Sequence, residues 1–189
     1  MDIKNHYEVN VGDMLVAPPN MKDPRFNKSV VLITRVSEHG SQGFVINKQT
    51  SHGINSLIDD TGLTLDQNYP LYWGGPVNQN TVWMLHDSNW GLEQTLSIND
   101  QWSMTSHRNM FEALKVGHMP ARFKILYGFA GWGADQLENE IRGEYPWNQN
   151  SSWLILHEPD PNWIVERDAE DLWTDAITFT ANQTVSTWL

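Results

Sequence analysis

The chain has 189 residues, enough for one domain with a sizeable core and short for two, so a single domain over 1–189 is expected. Hydrophobic residues make up 40% of it, and no apolar run approaches the ~20 residues of a membrane-spanning helix, which excludes a membrane span. The formal net charge is −11, from 12 basic and 23 acidic residues, so the chain is a poor candidate for direct binding to nucleic acid.

The absence of some features and the irregular spacing of others exclude further kinds of site and structure. The first residues lack the apolar segment of a secretory signal, which predicts a cytoplasmic location. The chain has no cysteine, so disulfides, thiolate zinc sites and a cysteine nucleophile are excluded. Its ten tryptophans follow no period, which indicates packing residues rather than a repeat.

The first half of the chain predicts mainly strands joined by loops. The run at 29–36 and the run at 43–47 are expected to form an antiparallel hairpin, because their short loop cannot make a parallel crossover. In chain order, we expect a strand at 9–17, that hairpin, a helix around 54–58 ending near Gly62, strands at 69–73 and 81–86, and edge strands within 93–104.

The second half predicts alternating helices and strands. In chain order, we expect a helix at 106–116 capped by Thr105 or Ser106, a strand at 123–129, a turn at 131–133, a helix at 135–142 closed by Pro146, a strand at 153–157, a helix at 168–179, and a tail from Gln183. This order favours an α+β fold over regular βαβ units.

The predicted turn Gly131-Trp132-Gly133 lies between a strand and a helix, a position that can hold phosphate on free N–H groups. However, neither a dinucleotide-binding fingerprint nor a phosphate-loop lysine follows it. Asp135 and Glu138 would repel an anion and are expected to cap the helix themselves. We therefore favour a structural turn.

No complete catalytic motif is present, and whether the protein is an enzyme stays open. Glu138 and Glu140 are two apart on a helix, so they do not share a face and are expected to be surface acids. The seven histidines lack metal-binding spacing, and we expect neither a metal nor a cofactor. His86 is the best candidate for proton transfer or ligand contact; the alternative is a histidine satisfied by a backbone carbonyl.

Gly74-Gly75-Pro76 lies at the exit of a strand. Two glycines and a proline there force a defined bend and allow a close backbone approach. The group that approaches is either a ligand or another part of the fold, and we favour the fold.

Four stretches resemble the AlgH/YqgE family of bacterial proteins. They begin at Leu15, Gly43, Gly74 and Gly128, and they read Leu-Val-Ala-Pro-Pro-Asn-Met, Gly-Phe-Val-Ile-Asn, Gly-Gly-Pro-Val and Gly-Phe-Ala-Gly-Trp-Gly. The resemblance runs from about 12 to 147 and is weaker over 148–189. It implies a compact α+β domain around a mixed, largely antiparallel sheet. The family has no established reaction, although some members are labelled transcriptional regulators.

Two functions remain. The first is a non-enzymatic binding or regulatory protein that recognises a partner protein or a small ligand and does not bind DNA directly. The alternative is a small-molecule-binding protein or an enzyme with a cleft between the two glycine segments, and the oligomeric state stays open. The candidate ligand-binding residues are Gly74, Gly75, Pro76, His86, Gly131, Trp132, Gly133 and Glu138.

Overall fold

The computed structural model describes residues 7–58, 64–144 and 152–186. The strands are β1 (Met14–Val16), β2 (Val30–Ser37), β3 (Gly40–Val45), β4 (Gln49–Gly53), β5 (Pro70–Trp73), β6 (Val77–Asp87), β7 (Leu96–Ser97), β8 (Trp102–Thr105), β9 (Phe123–Gly133) and β10 (Leu154–Leu156). The helices are α1 (Asn55–Ile58), α2 (Asn109–Lys115), α3 (Gln136–Arg142), α4 (Trp163–Glu166) and α5 (Ala169–Ser186).

Strand β9 is the hub of one mixed sheet. It pairs antiparallel with β3 and β6 and parallel with β5. The main path of the sheet runs β10-β1-β2-β3-β9-β6-β8-β7, with β4 attached through β5. The expected α+β fold with a mixed, largely antiparallel sheet is confirmed. The β2–β3 hairpin has the antiparallel pairing that its short loop predicts.

Within the described residues, the core consists of three clusters, each covered by helices. The first, here called the inner cluster, contains residues of α4 and α5 such as Leu172, together with Leu126 of β9. The α3 cluster joins Leu137 and Ile141 to Trp132. The third cluster, here the α2 cluster, contains α1 and α2 residues. Burial of these apolar faces fixes the helices on the sheet.

The regular alternation of side chains between the two faces of β9 is interrupted at Gly128. Leu126 and Phe129 pack against the inner cluster, whereas Ala130 and Trp132 belong to the α3 cluster. Strict alternation would put Leu126 and Trp132 on one face, because residues an even number apart in a strand point the same way. Gly128 has φ 68°, a left-handed conformation typical of a glycine bulge. The bulge turns Trp132 towards α3.

The predicted turn at 131–133 is wrong, because β9 continues through it. Gly40 pairs with Gly133 and Ser41 pairs with Trp132, so β3 extends the ladder to the end of this segment. Gly131 and Gly133 are not among the glycines with positive φ. The two glycines therefore lie in extended backbone and make no turn.

Several element boundaries also differ from the predictions. Helix α2 begins after Arg108 without a side-chain cap, and the Ser106 hydroxyl instead donates to the Val82 carbonyl oxygen at 3.1 Å. Asp135 makes no side-chain cap hydrogen bond on α3. Helix α5 continues through the predicted tail to Ser186. Strand β4 and helix α4 were not predicted, and the expected stops at Gly62 and Pro146 lie outside the described residues.

The Gly74–Gly75 segment passes against the backbone of β9. The Gly74 N–H donates to the Tyr127 carbonyl oxygen at 2.8 Å, and the Gly74 carbonyl oxygen accepts from the Val45 N–H at 2.8 Å. A Cβ on Gly75 would lie 2.1 Å from the Phe129 carbonyl carbon. The close approach that this sequence predicts is therefore made by the fold itself.

Candidate functional site

A cleft of about 310 Å³ opens between the loop of residues 20–28, the end of β9 and α3. Its size lies at the lower end of the range for small-molecule sites. The residues that line it are Met21, Asp23, Arg25, Phe26, Pro76, Ala130, Gly131, Trp132, Gln136, Glu140 and Trp153.

The carboxylate of Glu140 organises one side of this cleft. Its Oε2 accepts hydrogen bonds from the indole N–H groups of Trp132 and Trp153, both at 3.0 Å. Its Oε1 accepts from the Gln136 amide at 2.8 Å. The Glu140 residue is only 9% exposed. Three donors replace the water that burial removes, so the carboxylate fixes two tryptophans at the cleft.

Helix α3 places Glu140 at this position. Leu137 and Ile141 are four apart and both bury in the α3 cluster, and Glu140 lies between them on the inward side. The Gln136 side chain accepts a hydrogen bond from the Gly133 N–H at 3.0 Å, which ties the start of the helix to β9. Gly143, with φ 66°, ends the helix in the left-handed conformation.

Aromatic rings form the apolar wall of the cleft. The Phe26 ring lies 5.6 Å from the Trp153 ring and 5.9 Å from the Trp73 ring, measured between centroids. Trp132 and Trp153 meet edge to face at 6.2 Å. These geometries are favourable for ring quadrupoles, so each ring holds its neighbour in place.

Arg25 is held at the rim by Asp23. The guanidinium donates through Nε and Nη2 to both oxygens of Asp23, with the shortest distance 2.7 Å. The hydrogen bond from Arg25 lowers the pKa of Asp23 below its ordinary value. Lys48 lies alongside, and its Nζ donates to the Arg25 carbonyl oxygen at 2.6 Å. Desolvation lowers the pKa of the Lys48 ammonium.

The structure brings three of the eight sequence-predicted residues together in this cleft: Pro76, Gly131 and Trp132. Gly74 and Gly75 precede Pro76 and pack against β9 backbone. The Gly133 N–H is bound by Gln136. Glu138 lies instead in a separate groove with Tyr7, Val36 and Arg142.

His86, a candidate ligand-binding residue from the sequence, does not line the cleft. It is fully buried in β6, with Nδ1 2.8 Å from the Asp87 carbonyl oxygen and Nε2 3.0 Å from the Thr105 hydroxyl. Nδ1–H donates to the carbonyl, so Nε2 accepts from Thr105. Burial lowers the pKa of His86. His86 therefore matches the alternative that the sequence left open, a histidine whose ring is hydrogen-bonded to a backbone carbonyl.

Sequence reasoning missed most of the cleft. Glu140 was expected on the surface, yet it is buried between two indole groups. Two features of the sequence could have indicated its burial. Glu140 lies on the same side of the helix as Leu137 and Ile141, and buried tryptophan N–H groups need a hydrogen-bond acceptor. Arg25 and Phe26 lie in a loop whose path no sequence pattern gives, and their joining to Trp153 is a long-range contact.

Replacing Glu140 by leucine is expected to cost about 3 kcal/mol of unfolding free energy. The change leaves two buried indole N–H groups and the Gln136 amide without their acceptor, and each lost acceptor has a desolvation cost. Urea denaturation measures the difference. Glu138→Leu, two residues away and half-buried, is the matched control and should change the free energy by less than about 0.5 kcal/mol. Equal effects for the two variants would contradict the anchoring role.

Among residues 7–58, 64–144 and 152–186, none of the helices has the length and apolar character needed to cross a lipid bilayer. In the same described ranges, no three His, Asp or Glu side chains converge to hold a metal ion.

Comparisons with known proteins identify the family. A family model described as AlgH-like matches residues 14–184. A UPF0301 protein of Burkholderia vietnamiensis is 36% identical over 169 residues, covering 86% of this chain and 84% of that protein. A UPF0301 protein of Burkholderia cenocepacia is 35% identical over the same length and coverage.

Solved structures share the fold. The solution structure of the AlgH protein of Pseudomonas aeruginosa has a TM-score of 0.75 and 25% identity, covering 94% of this chain and 90% of that one. A crystal structure of a Corynebacterium diphtheriae protein has a TM-score of 0.67 and 24% identity, covering 89% and 85%. The protein is thus one of the α+β proteins built on this mixed sheet. It belongs to the AlgH-like family.

Proposed function

We propose that the protein is a non-enzymatic binding protein and that its ligand enters the cleft between the 20–28 loop, β9 and α3. The observation that carries this proposal is the Glu140 carboxylate, which holds the indole groups of Trp132 and Trp153 beside an open cavity. A buried polar network that fixes aromatic side chains at a cleft provides a pre-organised recognition surface.

The chemistry of the cleft supports binding rather than catalysis. Its acids, Asp23 and Glu140, are each engaged with hydrogen-bond donors that hold them in place. His86, the histidine singled out from the sequence, is buried in β6 and does not line the cleft. A general base requires access to the substrate proton. The residues present therefore supply walls and orientation.

The remaining parts of the proposal concern partners and location. Net charge −11 supports a role without direct DNA binding, because phosphate contacts by lysine and arginine dominate such affinity. A regulatory role would then act through a bound ligand or partner protein. A cytoplasmic location belongs to the same proposal, and cell fractionation would check it.

A blocking substitution tests the cleft. Met21 lines it and is half-buried, so the larger side chain of tryptophan at this position is expected to fill part of the cavity. We expect small aromatic compounds, screened by ligand-detected NMR, to bind the unmodified protein and to lose at least about tenfold in affinity for Met21→Trp.

Met119→Trp is the control for that screen. Met119 is an exposed methionine that does not line the cleft. Its tryptophan variant should retain the binding of the unmodified protein. If compounds bind all three proteins equally, or none of them, this cleft is not the ligand site.

A further inference from the structure

We propose that the cleft recognises an anionic oxygen group, a carboxylate or a phosphate, through the guanidinium of Arg25, with the apolar body of the ligand against Phe26. This inference rests on the proposed function and names its ligand class. It follows from the way in which Arg25 is oriented and from the charges of its loop.

Asp23 occupies only one edge of the Arg25 guanidinium. The hydrogen bonds to Asp23 use Nε and Nη2, and within the described part of the chain no partner lies within hydrogen-bonding distance of Nη1. Arginine carries five N–H donors in a planar fork, so the second edge can bind one anionic group through two parallel hydrogen bonds. The side chain is 60% exposed and lines the cleft. Asp23 therefore fixes the guanidinium while its second edge stays free for a ligand.

The loop around Arg25 is basic, although the chain as a whole is acidic. Residues 20–28 contain Lys22, Arg25 and Lys28 against Asp23 alone, and Lys48 lies against the Arg25 backbone. The whole chain has net charge −11. A local excess of positive charge on an acidic protein attracts anions to this rim.

Besides Asp23, the cleft contains the carboxylate of Glu140, which is not available to bind a cationic ligand. Glu140 is 9% exposed, and both of its oxygens already accept hydrogen bonds from Trp132, Trp153 and Gln136. Arg25 itself would repel a cationic ligand that enters past the rim. The exposed charge with an unused hydrogen-bonding edge belongs to Arg25, so the ligand group that matches it is an anion.

Four probes of similar shape test the ligand class: benzoate, phenyl phosphate, benzamide and benzylamine. Binding is measured by the indole N–H signals of Trp132 and Trp153 in two-dimensional NMR. We expect benzoate or phenyl phosphate to bind at least tenfold more tightly than benzamide and benzylamine. The stronger of the two anions indicates whether the natural group is a carboxylate or a phosphate.

Arg25→Gln and Lys22→Gln form the matched pair of variants. Both remove one positive charge from the same loop, but Arg25 lines the cleft and Lys22 does not. We expect the anion to lose at least tenfold in affinity in Arg25→Gln and less than threefold in Lys22→Gln. Unchanged urea denaturation midpoints show that both variants fold.

The possible results separate the two proposals. Benzamide or benzylamine binding as tightly as the anions at Trp132 and Trp153 would overturn the anion inference and leave the cleft as a binding site. Equal losses in the two variants would also overturn it, because general charge would then explain the attraction. If no probe shifts the two indole signals and the Met21→Trp screen is also negative, the proposed function fails as well.

Discussion

Gly75→Ala is expected to lower the free energy of unfolding by at least about 3 kcal/mol. Gly75 has φ 152°, outside the range that side chains readily adopt, and its added Cβ would lie 2.1 Å from the carbonyl carbon of Phe129. The clash is with backbone of β9, the hub strand, so no side-chain rotation relieves it. Strained conformation and overpacking each cost about 1–3 kcal/mol.

Gly128→Ala should behave in the same way. Its φ is 68°, and its added Cβ would lie 2.3 Å from the Gly75 carbonyl oxygen, so the two glycines form one crossing of two backbone segments. Because Gly128 makes the bulge that turns Trp132 towards α3, this variant should also change the tryptophan signals of the cleft. Urea denaturation and fluorescence measure the two effects.

Two other glycines are the controls for this crossing. Gly131→Ala meets ordinary contacts at 3.4 Å and has no positive φ, so it should change the free energy by less than about 1 kcal/mol. Gly117→Ala meets nothing within 4 Å but has φ 74°, so it measures the conformational cost alone, about 1 kcal/mol. Equal costs for Gly75→Ala and Gly117→Ala would show that the backbone crossing adds nothing.

The second large effect concerns Lys124, whose ammonium is buried in the core. It is 6% exposed, donates to the Ile46 carbonyl oxygen at 2.9 Å and lies 4.4 Å from the centre of the Tyr72 ring. Desolvation lowers its pKa from 10.5 to about 8. The folded protein therefore releases this proton at a lower pH than the unfolded chain does.

The direction of the pH dependence follows from that difference. Between about pH 8 and pH 10.5 the unfolded chain binds more protons at Lys124 than the folded protein, so this group makes stability rise with pH. We expect an increase of about 2 kcal/mol between about pH 8 and pH 9.5, since each pKa unit corresponds to about 1.4 kcal/mol. Below about pH 8 the contribution is constant and unfavourable.

Lys124→Met isolates this contribution. Methionine keeps the length and apolar stem of the side chain and removes the amine, so the rise in unfolding free energy between about pH 8 and pH 9.5 should be smaller by about 2 kcal/mol than in the unmodified protein. Urea denaturation at several pH values measures both proteins. Lys115→Met, at an exposed position of α2, is the control and should keep the rise. Parallel pH profiles for the protein and Lys124→Met would contradict the buried-amine account.

The sequence predicts local structure in this protein better than it predicts the cleft. Alternating and β-branched runs were sufficient for the β2–β3 hairpin, and the spacing of Leu137 and Ile141 was sufficient for α3. The two glycines at 131 and 133 led to the wrong prediction of a turn, because glycine also occurs within extended strands. Here the pairing with β3 keeps this segment extended. The faces of β9 depend on one bulge at Gly128, which alternation alone does not reveal.

The cleft residues come from distant segments, and this is why sequence spacing does not group them. Arg25 is on a loop, Trp132 on β9, Glu140 on α3 and Trp153 before β10. They meet because β9 and α3 place the Trp132 and Glu140 side chains within hydrogen-bonding distance, and Glu140 then also accepts from Trp153. Pro76, Gly131 and Trp132 were predicted from turns and family resemblance, whereas the acid that holds the tryptophans was not.

The central claim is that the Glu140-anchored tryptophans form the wall of a ligand site. The most direct measurement is a two-dimensional NMR titration that follows the ten tryptophan indole N–H signals while benzoate or phenyl phosphate is added. The account predicts that the signals of Trp132 and Trp153 shift together with saturation, while those of Trp90 and Trp102, buried elsewhere, stay unchanged. Saturable shifts confined to tryptophans outside the cleft, with Trp132 and Trp153 unmoved, would contradict it.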